Sequence, residues 1–339
     1  MDLMQQYSDL FDRLGAESLP PRYPSVAVEI TPDRVAAVRV TLDRKSGKRR
    51  LEAVESRDIV EGAIDISLTR QNILKPEAVR PVIEQVLRKL APRDHRVSLL
   101  LPDDVARVSL LGFTTLPKTR RELLDLVRFR MSKSLPFKPE EAVMDVMVLG
   151  GSAPQPGTSS ASVLAAFVQR SVLEQYESLF AACGYWTGLV SLSTFELFNL
   201  FRPLFARRKA ADRDSLVLNV TRRYLAVVIL RDTDVIFYRC KPHLLAANGD
   251  PPADVRREIY TSLAFYQEKL LGRGIGRVFL RCTGMPPQSI REAAGAETGG
   301  EVELLDPVSV VPVNGGPDLS PEEAALLAPA IGAVAGRMP

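Results

Sequence analysis

The side chains best suited to catalysis or metal binding are few in this chain of 339 residues, and they lie far apart in the sequence. Its two histidines, His95 and His243, stand at the edges of predicted elements without the carboxylate or cysteine neighbours of a catalytic triad or a metal site. Its three cysteines, Cys183, Cys240 and Cys282, are odd in number and widely spaced, which excludes a disulfide framework and a zinc pattern and favours a reducing compartment. The sequence therefore indicates no catalytic residue and no metal site.

The run Gly272-Arg273-Gly274-Ile275-Gly276 is the stretch that comes nearest to a phosphate-binding motif. In a dinucleotide-binding loop, such glycines follow a strand and open a helix. Here the run follows a predicted helix and precedes a predicted strand. We interpret it as a helix end and a turn.

Positive and negative charges are nearly balanced, with 44 Lys and Arg against 41 Asp and Glu and a net charge of +3. This balance lacks the excess of positive charge that is typical of nucleic-acid-binding proteins. Short basic clusters occur at residues 48–50, 120–121 and 207–209. We interpret them as solvated turns or helix ends, with contact to an anionic membrane surface as the alternative.

A composition of 46% hydrophobic and 25% charged residues predicts a globular protein, and the length predicts two lobes. Residues 1–14 are acidic and amphipathic, which indicates a detachable helix and not a secretory signal. The apolar tract at residues 324–335 is too short to span a bilayer and is interrupted by Pro329. We therefore expect a soluble protein whose membrane role passes through a partner.

Hydrophobic periodicity predicts one order of elements that occurs twice. The first copy comprises strands at 26–30, 35–40 and 51–54, a helix at 75–90 and a strand at 96–101. The second comprises strands at 215–220, 224–230 and 234–239, a helix at 253–271 and a strand at 277–281. Between them we predict strands at 107–111, 142–149, 163–168 and 187–190, helices at 118–134, 171–183 and 194–205, an exposed loop at 150–160 and a linker at 207–214.

Three strands, a helix and a strand form the opening of a ribonuclease-H-like unit. Two such lobes in tandem, with a small α/β insertion in the first, make up the α/β actin-like ATPase fold, which we infer here by analogy. The predicted boundaries are an N-terminal helix and linker at 1–21, a first lobe at 22–212 with its insertion at about 102–160, and a second lobe at 213–339.

The predicted insertion carries an ordered set of short motifs. Leu101-Pro102-Asp103-Asp104 precedes a strand, Leu116-Pro117 precedes a helix, and Leu135-Pro136-Phe137 precedes a strand that contains Asp145. The last predicted helix, at residues 324–332, completes the pattern. On these motifs the chain resembles the PilM family, the actin-like component of type IV pilus machines, and more distantly the cell-division protein FtsA.

This resemblance covers about residues 23–336 and implies a Mg-nucleotide held between the lobes by three backbone loops. In a competent relative, the first hairpin carries an Asp and a Gly so that the turn can approach the phosphates. Here Glu29 replaces the Asp, no glycine remains, and Pro32 removes a backbone N–H. Asn219 stands where the second hairpin has its Asp. The third, the adenosine loop, normally has a glycine pair and here reads Cys282-Thr283-Gly284-Met285. The implied cofactor-binding positions are Thr31, Arg34, Asn219, Thr221, Thr283 and Gly284.

Because all three loops are eroded, we predict a pseudo-ATPase that is not an enzyme, and we expect no cofactor. The alternative is an actin-like switch protein that binds Mg and ATP and hydrolyses ATP. Asp33 with Arg34 in the first turn and Asn219 in the second would support that alternative. The nucleotide content of the purified protein distinguishes the two.

The resemblance also implies a scaffold of a type IV pilus or related secretion platform, which binds the cytoplasmic tail of a PilN-like bitopic membrane protein. A groove between the first-lobe core and the insertion would take up this tail. The alternative is that the same side chains fill the small core of the insertion. The candidate partner-binding residues are Val105, Val108, Leu110, Met131, Leu135 and Phe137.

The implied location is cytoplasmic, peripheral to the inner membrane through this protein partner, with contacts to other pilus platform or motor proteins. We expect no nucleic-acid partner and no direct membrane span. A third alternative is the cytoplasmic domain of a type II secretion platform protein, which shares the fold and carries a transmembrane helix in its own chain.

Overall fold

Two five-stranded sheets with the same connectivity form the framework of the protein, which a computed structural model describes for residues 24–42, 49–90, 95–149, 161–210, 212–242, 251–311 and 317–335. In these residues the strands are β1 (Val26–Ile30), β2 (Arg34–Leu42), β3 (Arg49–Asp58), β4 (Arg96–Leu101), β5 (Arg107–Phe113), β6 (Ala142–Leu149), β7 (Ala161–Gln169), β8 (Trp186–Leu192), β9 (Asp214–Val220), β10 (Tyr224–Arg231), β11 (Asp234–Pro242), β12 (Ile275–Cys282) and β13 (Glu301–Leu304). The helices are α1 (Pro76–Leu90), α2 (Arg120–Met131), α3 (Arg170–Ala182), α4 (Ser193–Arg208), α5 (Pro251–Lys269), α6 (Pro287–Thr298) and α7 (Pro321–Ala335).

The two large sheets have the orders β3-β2-β1-β4-β8 and β11-β10-β9-β12-β13. In each, three strands form an antiparallel meander, and the first of them also pairs in parallel with the strand that follows the helix. The same strand connectivity in both sheets confirms the predicted duplication. Strands β1 and β9 read as continuous apolar runs because both of their faces are covered.

A central layer between the two sheets is built from α4 and α7. These helices contribute Phe201, Phe205 and Ile331 to a core that also contains Ala27 of β1 and Val217 of β9. The core therefore joins the facing sides of both sheets. Separate cores lie on the outer faces of the sheets, one for each lobe.

The last helix, which we assigned to the second lobe, packs chiefly against α4, β1 and β2 of the first lobe. The strands of the first sheet all precede residue 213 and those of the second begin at Asp214, whereas the helices between the sheets share one core with both. The predicted N-terminal helix at 1–14 and the predicted loop at 150–160 lie outside the described residues.

The insertion is a three-stranded sheet of order β5-β7-β6, and α2 covers one of its faces. Helix α2 begins at a capping box, in which the Thr119 side chain accepts from the Glu122 amide and the Glu122 carboxylate accepts from the Thr119 amide. Leu123, Val127 and Met131 then face the sheet.

Two predicted features differ from the structure. Residues 207 and 208 of the predicted linker form the last turn of α4, and the chain enters β9 at Asp214. Helix α6 and strand β13 were not predicted, although Pro287 at a helix start and Gly299 in the left-handed conformation at its end are regular helix boundary signals. In the described residues, no helix combines the length and the apolarity needed to cross a bilayer.

Helices α4 and α7 touch at Gly332. A Cβ atom added to Gly332 would lie 2.1 Å from the carbonyl oxygen of Glu196 and 3.3 Å from the Cβ of Leu200. Backbone cannot yield like the end of a flexible side chain, so the central layer requires glycine at this position.

We predict that Gly332→Ala lowers the free energy of unfolding by about 1–3 kcal/mol, since it forces the two central helices apart. Denaturant unfolding followed by circular dichroism measures this change. Gly295→Ala is the matched control, because a Cβ there meets Val302 only at 3.6 Å. This control should be neutral or stabilising by about 1 kcal/mol through helix propensity. Equal stability of the two variants would contradict the proposed close contact.

Candidate functional site

A cleft of about 900 Å³ opens between the two lobes. Its walls come from the two hairpin turns, the segment after β12, the segment after β13 and the start of α7. Five of the six cofactor-binding positions that we predicted line it, namely Thr31, Arg34, Thr221, Thr283 and Gly284. The sixth, Asn219, does not line the cleft, because its side chain is fully buried below the cleft floor.

The floor of the cleft is crossed by Arg281, a guanidinium that is 2% exposed. Its Nη1 donates to Asn219 Oδ1 at 2.8 Å, and its Nη2 lies 3.9 Å from Glu29 Oε2. Its remaining donors reach α7, where Nε bonds the Ala325 carbonyl at 2.7 Å and Nη2 bonds the Leu326 carbonyl at 3.1 Å. One side chain of the second lobe therefore contacts the first lobe and the central helix together.

A proline explains why α7 needs this donor. Pro329 lies inside α7 and has no N–H, so the Ala325 carbonyl four residues earlier lacks its helical hydrogen bond. Arg281 Nε supplies that bond. The arginine therefore completes the hydrogen bonding of this partly buried carbonyl and has a structural task in addition to its charge.

Glu29 is the carboxylate that faces Arg281 across the cleft. It is buried and accepts a 2.6 Å hydrogen bond from the Ser193 hydroxyl at the start of α4. Burial raises the pKa of Glu29, while the charge of Arg281 and the Ser193 hydrogen bond act in the opposite direction. Glu29 and Asn219 occupy equivalent positions, next to last in β1 and β9, so Arg281 bridges corresponding points of the two lobes.

A second polar cluster lies beside this one, where the turn after β4 meets β11. Asp103 accepts from the Tyr238 hydroxyl at 2.7 Å and from the Thr194 amide at 3.0 Å, and burial raises its pKa. Burial, followed by the nearby charge of Asp103, raises the pKa of Asp104 to about 7. Asn219 Nδ2 bonds Thr194 Oγ1 at 2.8 Å and so connects the two clusters.

In both hairpin turns, backbone amides donate hydrogen bonds to acceptors of the same turn. In the first, the Thr31 amide donates to the Arg34 carbonyl at 2.8 Å, and Pro32 has no amide to offer. In the second, the Thr221 amide donates to the Tyr224 carbonyl at 3.0 Å, and the Thr221 hydroxyl accepts the amides of Arg223 and Tyr224. Few turn amides remain to surround a phosphate.

The predicted adenosine loop is covered by the second hairpin. A Cβ atom added to Gly284 would lie 2.3 Å from Cγ of Arg222, so the arginine side chain lies directly over this glycine. Gly284 also has φ +76°, which glycine adopts without strain. The space that a glycine leaves for a ligand in this loop is taken up by the protein itself.

The start of α7 is likewise closed to an anion. Ser320 and Glu323 form reciprocal hydrogen bonds, with the Glu323 carboxylate accepting from the Ser320 amide at 3.0 Å and the Ser320 hydroxyl accepting from the Glu323 amide at 3.3 Å. Glu322 adds a second carboxylate to the same turn. This helix end therefore presents negative charge to the cleft where a phosphate would need positive charge.

These contacts test whether a Mg-nucleotide fits the cleft in the way that the resemblance implies. A divalent cation at Glu29 would compete with Arg281, and phosphate would meet Pro32 and the capped start of α7. In the described residues, no group of three His, Cys, Asp or Glu side chains could hold a metal ion. The arrangement does not fit that mode of binding.

The six predicted partner-binding residues do not share one surface. Val105 is fully buried in the first-lobe core, and Met131 is 4% exposed in the core of the insertion. We correct both from partner contacts to core residues, because a peptide cannot reach them. Leu135 and Phe137 pack against the insertion core below α2.

The remaining candidates, Val108 and Leu110, lie on the opposite face of the insertion sheet. On this face Leu110 of β5 pairs with Leu164 of β7, which pairs with Met147 of β6. Leu110 is partly exposed and Met147 is 51% exposed. We refer to Leu110, Leu164 and Met147 as the apolar row.

Sequence reasoning missed Arg281, Asp103, Thr194 and Ser193 as parts of the site. One signal was present, because Arg281 directly follows the apolar run Val278-Phe279-Leu280 in the same predicted strand. A charged residue inside a buried strand requires a partner. The partners themselves could not be found from spacing.

Comparison with protein-family models and with curated proteins gives no match. The solved structure of a PilM-PilN type IV pilus biogenesis complex is similar to this chain with a TM-score of 0.74 at 17% sequence identity, covering 93% of this chain and 98% of that one. A Bacteroides thetaiotaomicron protein described as having an actin-like ATPase fold is similar with a TM-score of 0.51 at 9% identity, covering 91% of this chain and 96% of that one. The chain has the actin-like ATPase fold. The resemblance to PilM that the sequence motifs indicated is thus confirmed at the level of the fold.

We predict that Arg281→Met lowers the free energy of unfolding by about 3–5 kcal/mol, because Glu29 is left buried without its cation. Without Arg281, the pKa of Glu29 rises further. A carboxyl with a raised pKa in the folded state stabilises the protein at low pH and loses that contribution as the pH rises through the folded-state pKa. The deficit should therefore be larger at pH 8 than at pH 5, as measured by denaturant unfolding at both values.

Arg277→Met is the matched control on the same strand. Arg277 pairs with the exposed Glu301 at 2.7 Å, so its loss should cost at most about 1 kcal/mol. The double variant Glu29→Gln with Arg281→Met should recover part of the lost stability at pH 8. A deficit of Arg281→Met that does not change with pH would refute the coupling to Glu29.

Proposed function

We propose that this chain is a cytoplasmic scaffold of a type IV pilus inner-membrane platform, that it binds a segment of a PilN-like membrane protein, and that it does so without ATP hydrolysis. The observation that carries the proposal is the similarity of fold, over 93% of the chain, to a PilM-PilN type IV pilus biogenesis complex. The location that follows is the cytoplasmic side of the inner membrane, reached through the PilN-like partner.

The apolar row is our proposed floor for the partner segment. At one end of this sheet face, Val108, Val143 and Val168 pack at the edge of the first-lobe core. At the other end, Leu149 packs against the central core. In the row between these ends Leu164 is buried, while Leu110 and Met147 on either side of it present apolar side chains from the two outer strands, which suits the apolar residues of an extended peptide.

Strand β6 gives the same site a backbone partner. In the described residues β6 pairs with β7 alone, so it is an edge strand of the insertion sheet. An exposed edge strand can add a further strand from another chain. Met147 and Val148, which are 51% and 50% exposed, place apolar side chains at this edge.

We predict that Leu110→Asp and Met147→Asp each weaken binding of the partner tail by about tenfold or more, because a carboxylate replaces a contact that must lose its water. Fluorescence anisotropy of a labelled peptide measures the change. The peptide copies the cytoplasmic tail of a PilN-like bitopic membrane protein.

Phe129→Asp is the control for this experiment. Phe129 is 80% exposed on α2, on the other side of the insertion, so the same change in charge and polarity should leave binding intact. The thermal midpoints of all three variants should stay close to that of the parent protein. If Leu110→Asp and Met147→Asp bind as the parent does, the tail lies elsewhere.

The absence of ATP hydrolysis in this proposal draws support from the cleft. Arg281 already provides the positive charge that a metal ion would bring to Glu29, and the hairpin amides are bonded within their own turns. The contacts that hold the lobes together therefore need no nucleotide. A scaffold with a constant shape is what such a cleft supports.

We predict that Mg-ATP at about 1 mM leaves the thermal unfolding midpoint unchanged. A ligand at a concentration 100-fold above its dissociation constant would stabilise the protein by about 2.7 kcal/mol and shift the midpoint by several degrees. Differential scanning fluorimetry with and without Mg-ATP provides the measurement. Chromatography of the supernatant after denaturation should find no co-purified nucleotide.

An ATP-binding switch is the second candidate function, and one observation favours it. The cleft has ample volume, and Thr31, Arg34, Thr221, Thr283 and Gly284 all line it. A midpoint that rises with Mg-ATP, together with tail binding that appears only with ATP, would establish the switch in place of the constant scaffold.

A further inference from the structure

Three segments meet at one end of the second lobe, which we call the basic end. They are the end of α4 with the residues that follow it, the turn between β10 and β11, and the loop from residue 270 to 274. Lys209 Nζ bonds Asp232 Oδ1 at 2.9 Å, which joins the first two segments. The Asp214 amide donates to the Gly274 carbonyl at 2.9 Å, which joins the first and third.

The basic end carries more cations than carboxylates at its surface. Asp214 is buried and forms two hydrogen bonds with Arg231, at 2.7 and 3.1 Å, so this pair adds no net charge. The carboxylates that remain are the exposed Asp212 and Asp232 and the half-buried Asp234. The exposed cations are Arg207, Arg208, Lys209, Arg213 and Arg273.

Asp232 is a carboxylate on which the charges of several of these cations act. The hydrogen bond from Lys209, the charge of Lys209 and then the charges of Arg273 and Arg231 lower the pKa of Asp232. One carboxylate is therefore shared by three cations from different segments. The chain as a whole has a net charge of only +3, so a local excess of positive charge is a feature of this end and not of the surface in general.

Leu271 belongs to the third segment of the basic end and has an unusual backbone conformation. Its side chain is 70% exposed, and its backbone is left-handed with φ +50°. A bulky residue seldom adopts this conformation. In the described residues, the non-glycine residues with positive φ are Asp212, Asp232 and Leu271, and all three lie at the basic end.

The neighbouring contacts hold Leu271 in place. Arg231 Nη2 donates to the Leu271 carbonyl at 3.2 Å. The Tyr266 hydroxyl accepts the Arg273 amide at 2.7 Å and donates to Asp214 Oδ2 at 2.7 Å. The loop is thus fixed from below, and Leu271 projects from a rigid base.

We propose that the basic end binds the surface of an anionic lipid bilayer, with its arginines and Lys209 at the headgroups and Leu271 inserted among the acyl chains. Anionic headgroups attract such a cluster of cations, and the apolar phase beneath them accommodates an exposed leucine. A nucleic acid would satisfy the cations and leave Leu271 in water, which is why lipid is the better match. The inference does not require the proposed scaffold function, because tail binding and vesicle binding are separate measurements.

Sedimentation of the full chain with vesicles tests the proposal. Vesicles of phosphatidylcholine with about one third phosphatidylserine should bind the protein, vesicles of phosphatidylcholine alone should not, and high salt should reverse binding. The double variant Arg208→Glu with Arg273→Glu should bind at least about tenfold more weakly. Lys118→Glu with Arg121→Glu, the same charge change at exposed positions of the insertion, should bind like the parent.

Leu271→Gly separates membrane insertion from a structural role of the loop. Glycine adopts positive φ without strain, so the thermal midpoint should be unchanged or raised while vesicle binding falls severalfold. Equal vesicle binding by Leu271→Gly and the parent would overturn the insertion of Leu271. Equal loss of binding in the two charge-reversal variants would overturn the basic end as the site. Tight binding of polyuridylate without binding of anionic vesicles would assign the surface to nucleic acid instead.

Discussion

The hydrogen bonds of Arg281 are the constraint on which the arrangement of the lobes depends. Pro329 leaves the Ala325 carbonyl of α7 without a helical donor at the base of the cleft. Arg281 provides the donor, and its buried charge then requires Glu29 on one side and Asn219 on the other. Both lobes and the central helix are therefore held by one group whose loss would leave several buried polar atoms unpartnered.

The duplicated lobes place corresponding residues opposite each other, and the difference between those residues decides what the cleft can hold. Glu29 and Asn219 are equivalent in position, but only one of them is charged. Arg281 faces Glu29, so this carboxyl group already has an internal cation beside it. The Asp103 cluster adds a second set of buried contacts between the lobes. Binding is consequently expected at other surfaces of the molecule.

Two such surfaces lie on different parts of the chain and have different chemistry. The apolar row belongs to the insertion in the first lobe and suits an extended peptide. The basic end belongs to the second lobe and suits an anionic layer with an apolar interior. If both proposals hold, one surface would contact a membrane protein and the other the membrane itself. The central layer, in which α4 and α7 touch at Gly332, lies between the two lobes that carry them.

The sequence by itself determined the elements and their repetition, because alternating and helical apolar patterns are local properties. Strands β1, β4 and β6 were predicted at their observed bounds, and the motifs of the insertion indicated the fold. Only the tertiary structure decided that Arg281 meets Ala325, that Val105 and Met131 fill separate cores, and that the Leu271 carbonyl accepts from the distant Arg231. These outcomes depend on contacts between residues far apart in the chain, and neither periodicity nor composition carries information on which distant side chains will share one buried space.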